Sequence, residues 1–349
     1  MKSENSQDKL AVTHFQRKPY PVGSYSVEFI FSDVRDRLKN RVDFRVRVAS
    51  RYSTGVLNRL INTLEAMFYQ SAINHVTGDI HYVTFLLRKN KTILTVLDCV
   101  FLEQGSKVKR AVYRIIWLLL PVYKVKYITA ISEATKQRIL RETEFDPDKI
   151  FVIPIGVSNI FTPHPKSFSK DYPTLLHVGT TPNKNLERLI PAIDGLSCEL
   201  IIIGELTKGV RRLLEKHRIT YKNRWHLNAL QMLEEYKRCD ILVFASTYEG
   251  FGMPIIEANF VERAVVAGNN SSMIEVAGDA ACLVDAHSIE DIREGILRVI
   301  EDDVYRERLI ENGRKNRMRF DSQSIAEQYY TLYQKIAITK RSTMSCVED

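Results

Sequence analysis

Short apolar runs alternate with longer segments of helical spacing along almost the whole chain of 349 residues. This alternation predicts an α/β fold, in which parallel sheets are covered by helices on both faces. The runs that we expect to form strands are Leu10–Phe15, Val42–Ala49, Ile73–Val76, Thr92–Leu97, Tyr127–Ile131, Phe151–Ile155, Thr174–Val178, Leu200–Ile203, Ile241–Ala245, Ala264–Ala267 and Cys282–Val284.

The alternation is interrupted between Pro154 and Pro165, where prolines and polar residues replace it. We place a linker there, and a chain of this length suits two domains. The sequence therefore predicts an N-terminal domain over residues 1–158, a C-terminal domain over 166–320, and a terminal helix and tail over 321–349 that could pack back on the N-terminal domain. Two doubly wound domains bind ligands at the carboxyl ends of their strands, and we expect them to face one cleft.

A glycine-rich turn follows the apolar strand Ile241–Ala245. Gly250 and Gly252 allow a tight turn, and Pro254 suits the first position of a helix. Backbone N–H groups around Gly252 and Met253 would then point out of a helix N-terminus, where phosphate or sugar hydroxyls are favoured. The turn therefore predicts a site for a phosphorylated ligand.

Two carboxylates, Glu249 and Glu257, bracket this turn. We expect the first on the loop and the second in the first turn of the helix. Together with the residues between them they resemble the Glu-x7-Glu motif of glycosyltransferase family 4, whose members are retaining enzymes of the GT-B fold. Leu176–Ile190 resembles the family's strand and loop with a phosphate-binding lysine, here Lys184. Three further segments resemble the family in the same order: Thr129–Lys136, Val152–Val157 and Glu275–Ala281.

The resemblance implies a role for each residue that matches a motif. Lys184 would stabilise the departing diphosphate, Glu257 would accept hydrogen bonds from the ribose hydroxyls, and Glu249 would contact the transferred sugar or the positive charge at its anomeric centre. Simpler alternatives are a solvated lysine, a carboxylate that stabilises its own helix, and an exposed loop acid. The predicted donor-binding residues are Gly179, Lys184, Glu249, Gly250, Phe251, Gly252, Met253 and Glu257.

The sequence departs from the family pattern at a few positions. Many relatives carry an arginine where this chain has Thr180 or Asn183, so the diphosphate could be held with one charge fewer. Family members often have His-Asp where this chain has Leu97 and Asp98. We keep Asp98 as a catalytic candidate beside Lys184 and Glu249.

The acceptor side is less well marked in the sequence. Asp79 and His81 resemble loop residues near the acceptor, and Gly23 could open a helix that cradles a phosphate. Each could instead serve a turn or be a buried polar group whose hydrogen bonds are satisfied.

Basic residues are concentrated in the N-terminal half. Residues 1–165 hold 25 Lys and Arg against 15 Asp and Glu, whereas the net charge of the whole chain is +8. No nucleic-acid motif is present, so we expect an anionic membrane surface as the partner. The apolar stretch of Lys107–Lys126, with Trp117, is flanked by six cations and could dock there. The alternative is a helix buried against the sheet and ended by Pro121.

The five scattered cysteines lack disulfide or zinc spacing, and no apolar segment is long enough to span a bilayer. We therefore expect a cytoplasmic protein, peripheral on the inner face of the membrane. No cluster of carboxylates predicts a metal, and we expect no cofactor beyond the UDP- or GDP-linked sugar substrate.

The resemblance implies a retaining, metal-independent glycosyltransferase. It would move a sugar from a nucleoside diphosphate to a glycan or lipid-linked glycan, in the biosynthesis of a surface polysaccharide or glycolipid. The fold leaves two alternatives open, a nucleotide-sugar epimerase and a non-catalytic protein that binds a glycan or a partner.

Overall fold

The computed structural model of the chain describes residues 9–19, 26–99, 102 and 106–344. The chain divides into two compact units. The N-terminal unit comprises the residues up to Gly156 and those from Ser322 onward, and the C-terminal unit comprises Val157–Asp321. Each contains a six-stranded parallel sheet with helices between its strands, so the predicted α/β fold with parallel sheets is confirmed.

The sheet of the N-terminal unit has the order β2-β1-β3-β4-β5-β6, and all its pairs are parallel. Its strands are β1 (Leu10–Gln16), β2 (Val42–Val48), β3 (Ile73–Val76), β4 (Thr92–Val96), β5 (Tyr127–Ala130) and β6 (Ile150–Val152). Its α-helices are α1 (Ser26–Leu38), α2 (Val56–Phe68), α3 (Lys107–Tyr113), α4 (Leu120–Tyr123), α5 (Glu133–Glu142) and α13 (Ser322–Met344). A π-helical segment, Arg114–Leu119, joins α3 to α4, and short 3₁₀ helices span His81–Leu86, Lys89–Lys91 and Pro147–Lys149.

The sheet of the C-terminal unit has the order β12-β11-β10-β7-β8-β9, again with parallel pairs. Its strands are β7 (Thr174–Val178), β8 (Glu199–Ile203), β9 (Tyr221–Arg224), β10 (Ile241–Phe244), β11 (Ala264–Gly268) and β12 (Cys282–Val284). Its α-helices are α6 (Leu186–Ala192), α7 (Lys208–Lys216), α8 (Ala229–Arg238), α9 (Met253–Val261), α10 (Ser271–Ala277), α11 (Ile289–Glu301) and α12 (Asp303–Asn316), with 3₁₀ helices at Pro182–Lys184, Gly278–Ala280 and Arg317–Phe320.

The order of strands reverses between β7 and β10 in this second sheet. β7 pairs with β8 on one side and with β10 on the other, so the chain leaves the two central strands in opposite directions across the sheet. In doubly wound sheets the loops after two such strands separate and leave a crevice at their carboxyl ends. This crevice is where the fold favours a ligand.

The structure differs from the prediction at two strands. The strand expected at Phe151–Ile155 is found as β6, since Pro154 has no N–H to donate and pairing with β5 ends at Ile153. Strand β9 was not predicted, because its sequence, Tyr-Lys-Asn-Arg, is polar. It lies at the edge of the sheet, where the Asn223 side chain donates to the carbonyls of Ile202 and Gly204.

A chain of buried polar side chains joins α13 to the sheet of the N-terminal unit. The Tyr333 hydroxyl lies 3.0 Å from His14 Nε2 and 2.7 Å from His75 Nδ1. The chain continues from His75 Nε2 to Thr95 Oγ1 and from there to Thr129 Oγ1, each over 2.7 Å. All five side chains are buried, so α13 is held by hydrogen bonds that water cannot replace.

Candidate active site

Three predicted donor-site residues meet at the carboxyl edge of β7 and β10. Gly179 follows β7 directly, Lys184 ends the 3₁₀ helix Pro182–Lys184, and Glu249 lies on the loop after β10. Lys184 Nζ donates to Glu249 Oε1 over 2.7 Å, and both side chains are largely shielded from solvent. The fold thus brings a cation and a carboxylate together in the crevice between the two central strands.

Packing fixes the position of the Lys184 side chain. Gly179 has a φ of +101°, and a Cβ at this residue would lie 2.8 Å from Lys184 Cγ and Cε. A larger residue would therefore be strained in its backbone and would displace the lysine stem. Lys184 Nζ also lies 4.6 Å from the centre of the Phe244 ring, which is a favourable position for an ammonium group.

The loop that carries Glu249 is held by side chains that the motif did not point to. Ser271 Oγ accepts from the Glu249 N–H over 3.1 Å, and Ser272 Oγ donates to the carbonyls of Glu249 and Phe251 over 2.9 Å. Asn183 Nδ2 donates to the carbonyl of Tyr248 over 3.1 Å. Fixed in this way, the loop needs little reorganisation to present its carboxylate.

The side chain of Asn183 also reaches the predicted catalytic carboxylate. Asn183 Nδ2 lies 3.4 Å from Glu249 Oε1, the same oxygen that Lys184 contacts. Where the family pattern often has an arginine, this chain therefore has a neutral donor aimed at Glu249. Two signals in the sequence could have revealed the side chains that hold the Glu249 loop. One is the run of small polar residues directly after β11, from Asn269 to Ser272, and the other is the pair of asparagines around Lys184.

Glu257 does not lie in the first turn of its helix, as the sequence analysis expected. Gly252, with a φ of +107°, is the N-cap, and α9 begins at Met253, so that Glu257 is the fifth residue of the helix. Its Oε2 accepts a hydrogen bond from the Tyr236 hydroxyl over 2.6 Å. Stabilisation of its own helix end is therefore not its role, because that effect is confined to the first turn.

Burial raises the pKa of Glu257 above its ordinary value, while the hydrogen bond from Tyr236 and the charge of Lys184 oppose that rise. The carboxylate form is thus held by the hydroxyl of a fully buried tyrosine. Tyr236, on α8, could not be recognised from the sequence, because its contact with α9 depends on how the two helices pack.

The buried histidine of β7 carries no charge into this crevice at neutral pH. Burial lowers the pKa of His177 to about 4, and its Nδ1 donates to the Val243 carbonyl over 3.1 Å. Lys184, and not His177, therefore supplies positive charge beside Gly179.

A second cavity, of about 310 Å³, lies within the N-terminal unit at the carboxyl ends of β1, β3 and β4. It brings together the predicted acceptor-side residues Asp79 and His81 and the catalytic candidate Asp98. Its other lining residues were not predicted; they are Arg17, Ser53, Arg59, Leu97, Tyr113 and Trp117. Gly23, the remaining acceptor-side candidate, lies outside the described residues.

Charge and hydrogen bonding shape this cavity. Arg17 Nη1 donates to Asp79 Oδ2 over 2.9 Å. His81 Nδ1 lies 2.7 Å from the Trp117 carbonyl, so Nδ1 carries the proton and donates it, while burial lowers the pKa of the ring. Three groups in this cavity can bind sugar hydroxyls. They are the neutral imidazole of His81, the carboxylate of Asp79 paired with Arg17, and the carboxylate of Asp98.

The basic segment Lys107–Lys126 is helical from Lys107 to Tyr123, and this helical part is half buried. Leu118, Pro121 and Val122 face the core, whereas Trp117 is partly buried and apolar residues on the other face are exposed. Pro121 does not end the helix as one alternative expected, because it lies inside α4 directly after the π-helical segment, where the hydrogen-bond pattern already changes. Among the described helices, none is both long and apolar enough to cross a membrane.

No group of three or more His, Cys, Asp or Glu side chains lies in metal-binding proximity within the described parts of the chain. The cysteines described there, Cys99, Cys198, Cys239 and Cys282, are unbridged and buried.

Comparison with known proteins finds a family match within the C-terminal unit. Residues 160–316 match the family model "Glycosyl transferases group 1". The chain is 28% identical over 233 residues to O-antigen chain mannosyltransferase B of Escherichia coli, covering 60% of each protein. It is 27% identical over 241 residues to the capsular polysaccharide biosynthesis glycosyltransferase CapM of Staphylococcus aureus, covering 59% of this chain and 60% of CapM. The chain thus spans about three fifths of the length of these two relatives.

Solved structures share the fold over nearly the whole chain. HepE of Anabaena, crystallised with UDP and glucose, superposes with a TM-score of 0.75 at 16% identity, over 93% of this chain and all of HepE. Sucrose-phosphate synthase of Thermosynechococcus elongatus gives a TM-score of 0.78 at 16% identity, over 95% of this chain and all of the synthase. The chain therefore has the GT-B fold, and its residues 160–316 form a domain of the glycosyl transferases group 1 family, which agrees with the resemblance to glycosyltransferase family 4.

Proposed function

We propose that this protein is a retaining, metal-independent glycosyltransferase that moves a sugar from a nucleoside diphosphate to a glycan or lipid-linked glycan acceptor. The observation that carries the proposal is the convergence of Lys184, Glu249 and Gly179 in the crevice of a group 1 domain. Relatives named for O-antigen and capsular polysaccharide synthesis support a place in the biosynthesis of a surface polysaccharide.

Lys184 acts on the leaving group. As the anomeric C–O bond breaks, negative charge grows on the diphosphate, and a cation already in position stabilises it without reorganisation. Lys184 is paired with Glu249, so the arriving diphosphate competes with that carboxylate for the ammonium. Glu249 is then left beside the sugar, where its charge favours an oxocarbenium-like transition state.

Retention follows if the acceptor attacks from the side of the leaving group. The departing phosphate oxygen then takes the proton of the acceptor hydroxyl, while the new glycosidic bond forms on the face that the phosphate leaves. No carboxylate nucleophile is needed, and Glu249 keeps an electrostatic role. Asp98, Asp79 and His81 orient the acceptor in the cavity of the N-terminal unit.

Glu257 holds the ribose of the donor nucleotide. Its Oε2 is already bonded to Tyr236, so the carboxylate is oriented before the nucleotide arrives. The nucleotide is UDP or GDP. A UDP donor is supported by the UDP complexes of HepE, and the name of the Escherichia coli mannosyltransferase points to mannose as one candidate sugar.

The protein also works at an anionic membrane surface, on its cytoplasmic side. The segment Lys107–Lys126 supplies the cations for this contact. A lipid-linked acceptor would be presented at the same surface.

Release of UDP or GDP from a panel of nucleotide sugars tests the proposed reaction. We expect the wild-type protein to release nucleotide from one donor, and Glu249→Gln to lower that rate by about 100-fold or more. Glu205→Gln, which changes an exposed loop glutamate of the same unit, is the control and should leave the rate unchanged. Failure of every donor to release nucleotide, or equal rates in wild type and Glu249→Gln, would contradict the proposal.

A further inference from the structure

Helix α2 presents its apolar stripe to solvent. Leu57, Leu60, Leu64 and Phe68 follow helical spacing and are 70%, 55%, 51% and 76% exposed. The buried residues of the helix, Asn62, Thr63 and Ala66, lie on its opposite face and include two polar side chains. A helix at the surface of a globular protein normally buries such a stripe, so an exposed one indicates a contact with something else.

The basic helical segment Lys107–Tyr123 shows a second exposed apolar stripe. The residues of this stripe follow the same helical spacing and are 38–74% exposed: Val108, Val112, Ile115, Ile116, Leu120 and Tyr123. The sequence reveals this pattern as apolar periodicity, which is equally typical of a core helix. The structure distinguishes a core helix from an exposed one. Leu118 and Val122 are buried in the core, whereas the residues of the stripe are exposed.

The two helices are neighbours on one side of the N-terminal unit. The Arg59 guanidinium of α2 lies 4.5 Å from the centre of the Trp117 ring, and Tyr82 contacts the same ring at 5.7 Å. Arg59 and Trp117 also line the cavity that contains His81 and Asp98. The exposed stripes therefore lie on the two helical segments that also contribute Arg59 and Trp117 to the wall of the acceptor cavity.

The charges on this surface indicate which kind of partner covers the apolar stripes. Residues 106–126 contain six Lys and Arg and no Asp or Glu. Arg114 is paired with Glu142 through Nε and Oε2 over 2.7 Å. In a symmetric pair of chains the cationic segments would be brought together, which costs free energy. An anionic bilayer instead offers headgroups to the cations and an acyl boundary to the apolar stripes.

We propose that α2 is a membrane-inserting helix, with Leu57, Leu60, Leu64 and Phe68 in the boundary between headgroups and acyl chains of an anionic bilayer. The segment Lys107–Tyr123 lies beside it and binds headgroups. This docking rests on the membrane contact in the proposed function and adds to it an apolar component from a different helix. It places the acceptor cavity at the bilayer surface, which suits a lipid-linked acceptor.

Sedimentation with vesicles of phosphatidylcholine and phosphatidylglycerol in equal parts, at low and at high salt, tests the insertion of α2. Salt screens the cationic contribution and leaves the apolar one, so the wild type should keep part of its binding at high salt. In the fourfold variant Leu57→Gln, Leu60→Gln, Leu64→Gln, Phe68→Gln that residual binding should disappear, and affinity at low salt should fall about tenfold or more.

A matched control changes four exposed apolar residues of the C-terminal unit: Leu230→Gln, Ile274→Gln, Val304→Gln and Met318→Gln, which are 63%, 45%, 82% and 68% exposed. It should bind vesicles as the wild type does. The α2 variant should keep nucleotide binding without lipid, which shows that it is folded and separates failure of docking from failure of the proposed reaction.

Two results would overturn the assignment. One is unchanged vesicle binding by the α2 variant at both salt concentrations. The other is a dimer of the wild type in sedimentation without lipid that the α2 variant abolishes, because a second copy of the chain would then cover the helix.

Discussion

The two units are built on the same scaffold and differ in where their polar and apolar side chains cluster. In the C-terminal unit the polar groups Lys184, Glu249 and Asn183 meet at the carboxyl edge of the sheet, around an apolar core. In the N-terminal unit His14, His75 and their partners are buried in the core, while leucines of α2 are exposed. The polar cluster of the C-terminal unit is where we propose that the donor binds, and the exposed leucines of the N-terminal unit are where we propose that a membrane binds.

The difference shows where each function is encoded. The donor site is built from loops that follow adjacent strands, and its residues stand in short contiguous motifs. The acceptor cavity is built from residues far apart in sequence, from Arg17 to Trp117, which meet only after folding. A nucleotide diphosphate is common to many transferases, whereas an acceptor and a docking surface are particular to one.

The largest effect is expected at the cation of the donor site. Lys184→Ala should lower kcat/KM by at least roughly 100-fold, equivalent to about 3 kcal/mol, because the charge that stabilises the leaving diphosphate is removed. Rates of nucleotide release measure the loss. Lys208→Ala, an exposed lysine of the same unit, should behave as the wild type, and a Lys184→Ala enzyme of normal rate would remove Lys184 from the mechanism.

The buried histidines should make the N-terminal unit sensitive to acid. Burial lowers the pKa of His75 to about 3 and that of His14 well below its ordinary value. In this pH range the two histidines bind protons in the unfolded chain and stay neutral in the folded state. Folding stability is therefore lost as pH falls from about 6.5 toward 3.

For His75 alone this loss amounts to about 2 kcal/mol between neutral pH and pH 5. Urea unfolding of the wild type and of His75→Gln at both pH values isolates the contribution, since the variant should lose less stability on acidification. His287→Gln, an exposed histidine, is the control. Equal acid sensitivity in wild type and His75→Gln would contradict this account of the buried polar chain.

A smaller effect is expected at Tyr236. Its hydroxyl stabilises the carboxylate form of Glu257, so Tyr236→Phe should raise the pKa of Glu257 further. Ribose hydroxyls need the ionised carboxylate as acceptor. Nucleotide affinity should therefore fall by about 1 kcal/mol, and its decline toward acid should begin at a higher pH than in the wild type.

Titration calorimetry across pH measures both changes at Tyr236. Tyr172→Phe, which changes an exposed tyrosine of the same unit, should leave affinity and pH profile unchanged. An unaltered pH profile in Tyr236→Phe would show that the hydrogen bond to Glu257 has no part in binding.

The sequence predicted the parts of the molecule whose signals are local. The strands beneath the candidate donor site and the loop of Glu249 were recognisable, because apolar runs and turn residues act on their immediate neighbours. Gly179 and Lys184 were identified through the resemblance to the family. The prediction placed Glu257 in the first turn of α9. It is the fifth residue of that helix, because Gly252, with its positive φ, is the N-cap.

Other features could not be predicted from the sequence, because they depend on how distant segments pack. Strand β9 is polar and is held by one neighbour in the sheet. Apolar periodicity in α2 predicts a helix and leaves open which way its stripe faces. The hydrogen bond between Tyr236 and Glu257, and the cluster of Tyr333 with two histidines, join side chains from distant segments.

Calorimetric titration with UDP, GDP and ADP, repeated on Glu257→Ala, tests most directly the claim that the C-terminal unit holds a nucleotide donor. One nucleotide should bind in preference, and Glu257→Ala should weaken it by about 1 to 3 kcal/mol, the range for a lost hydrogen bond to a charged group. Glu294→Ala, an exposed glutamate on α11, should bind as the wild type does. Binding of none of the three, or unchanged affinity in Glu257→Ala, would contradict the account.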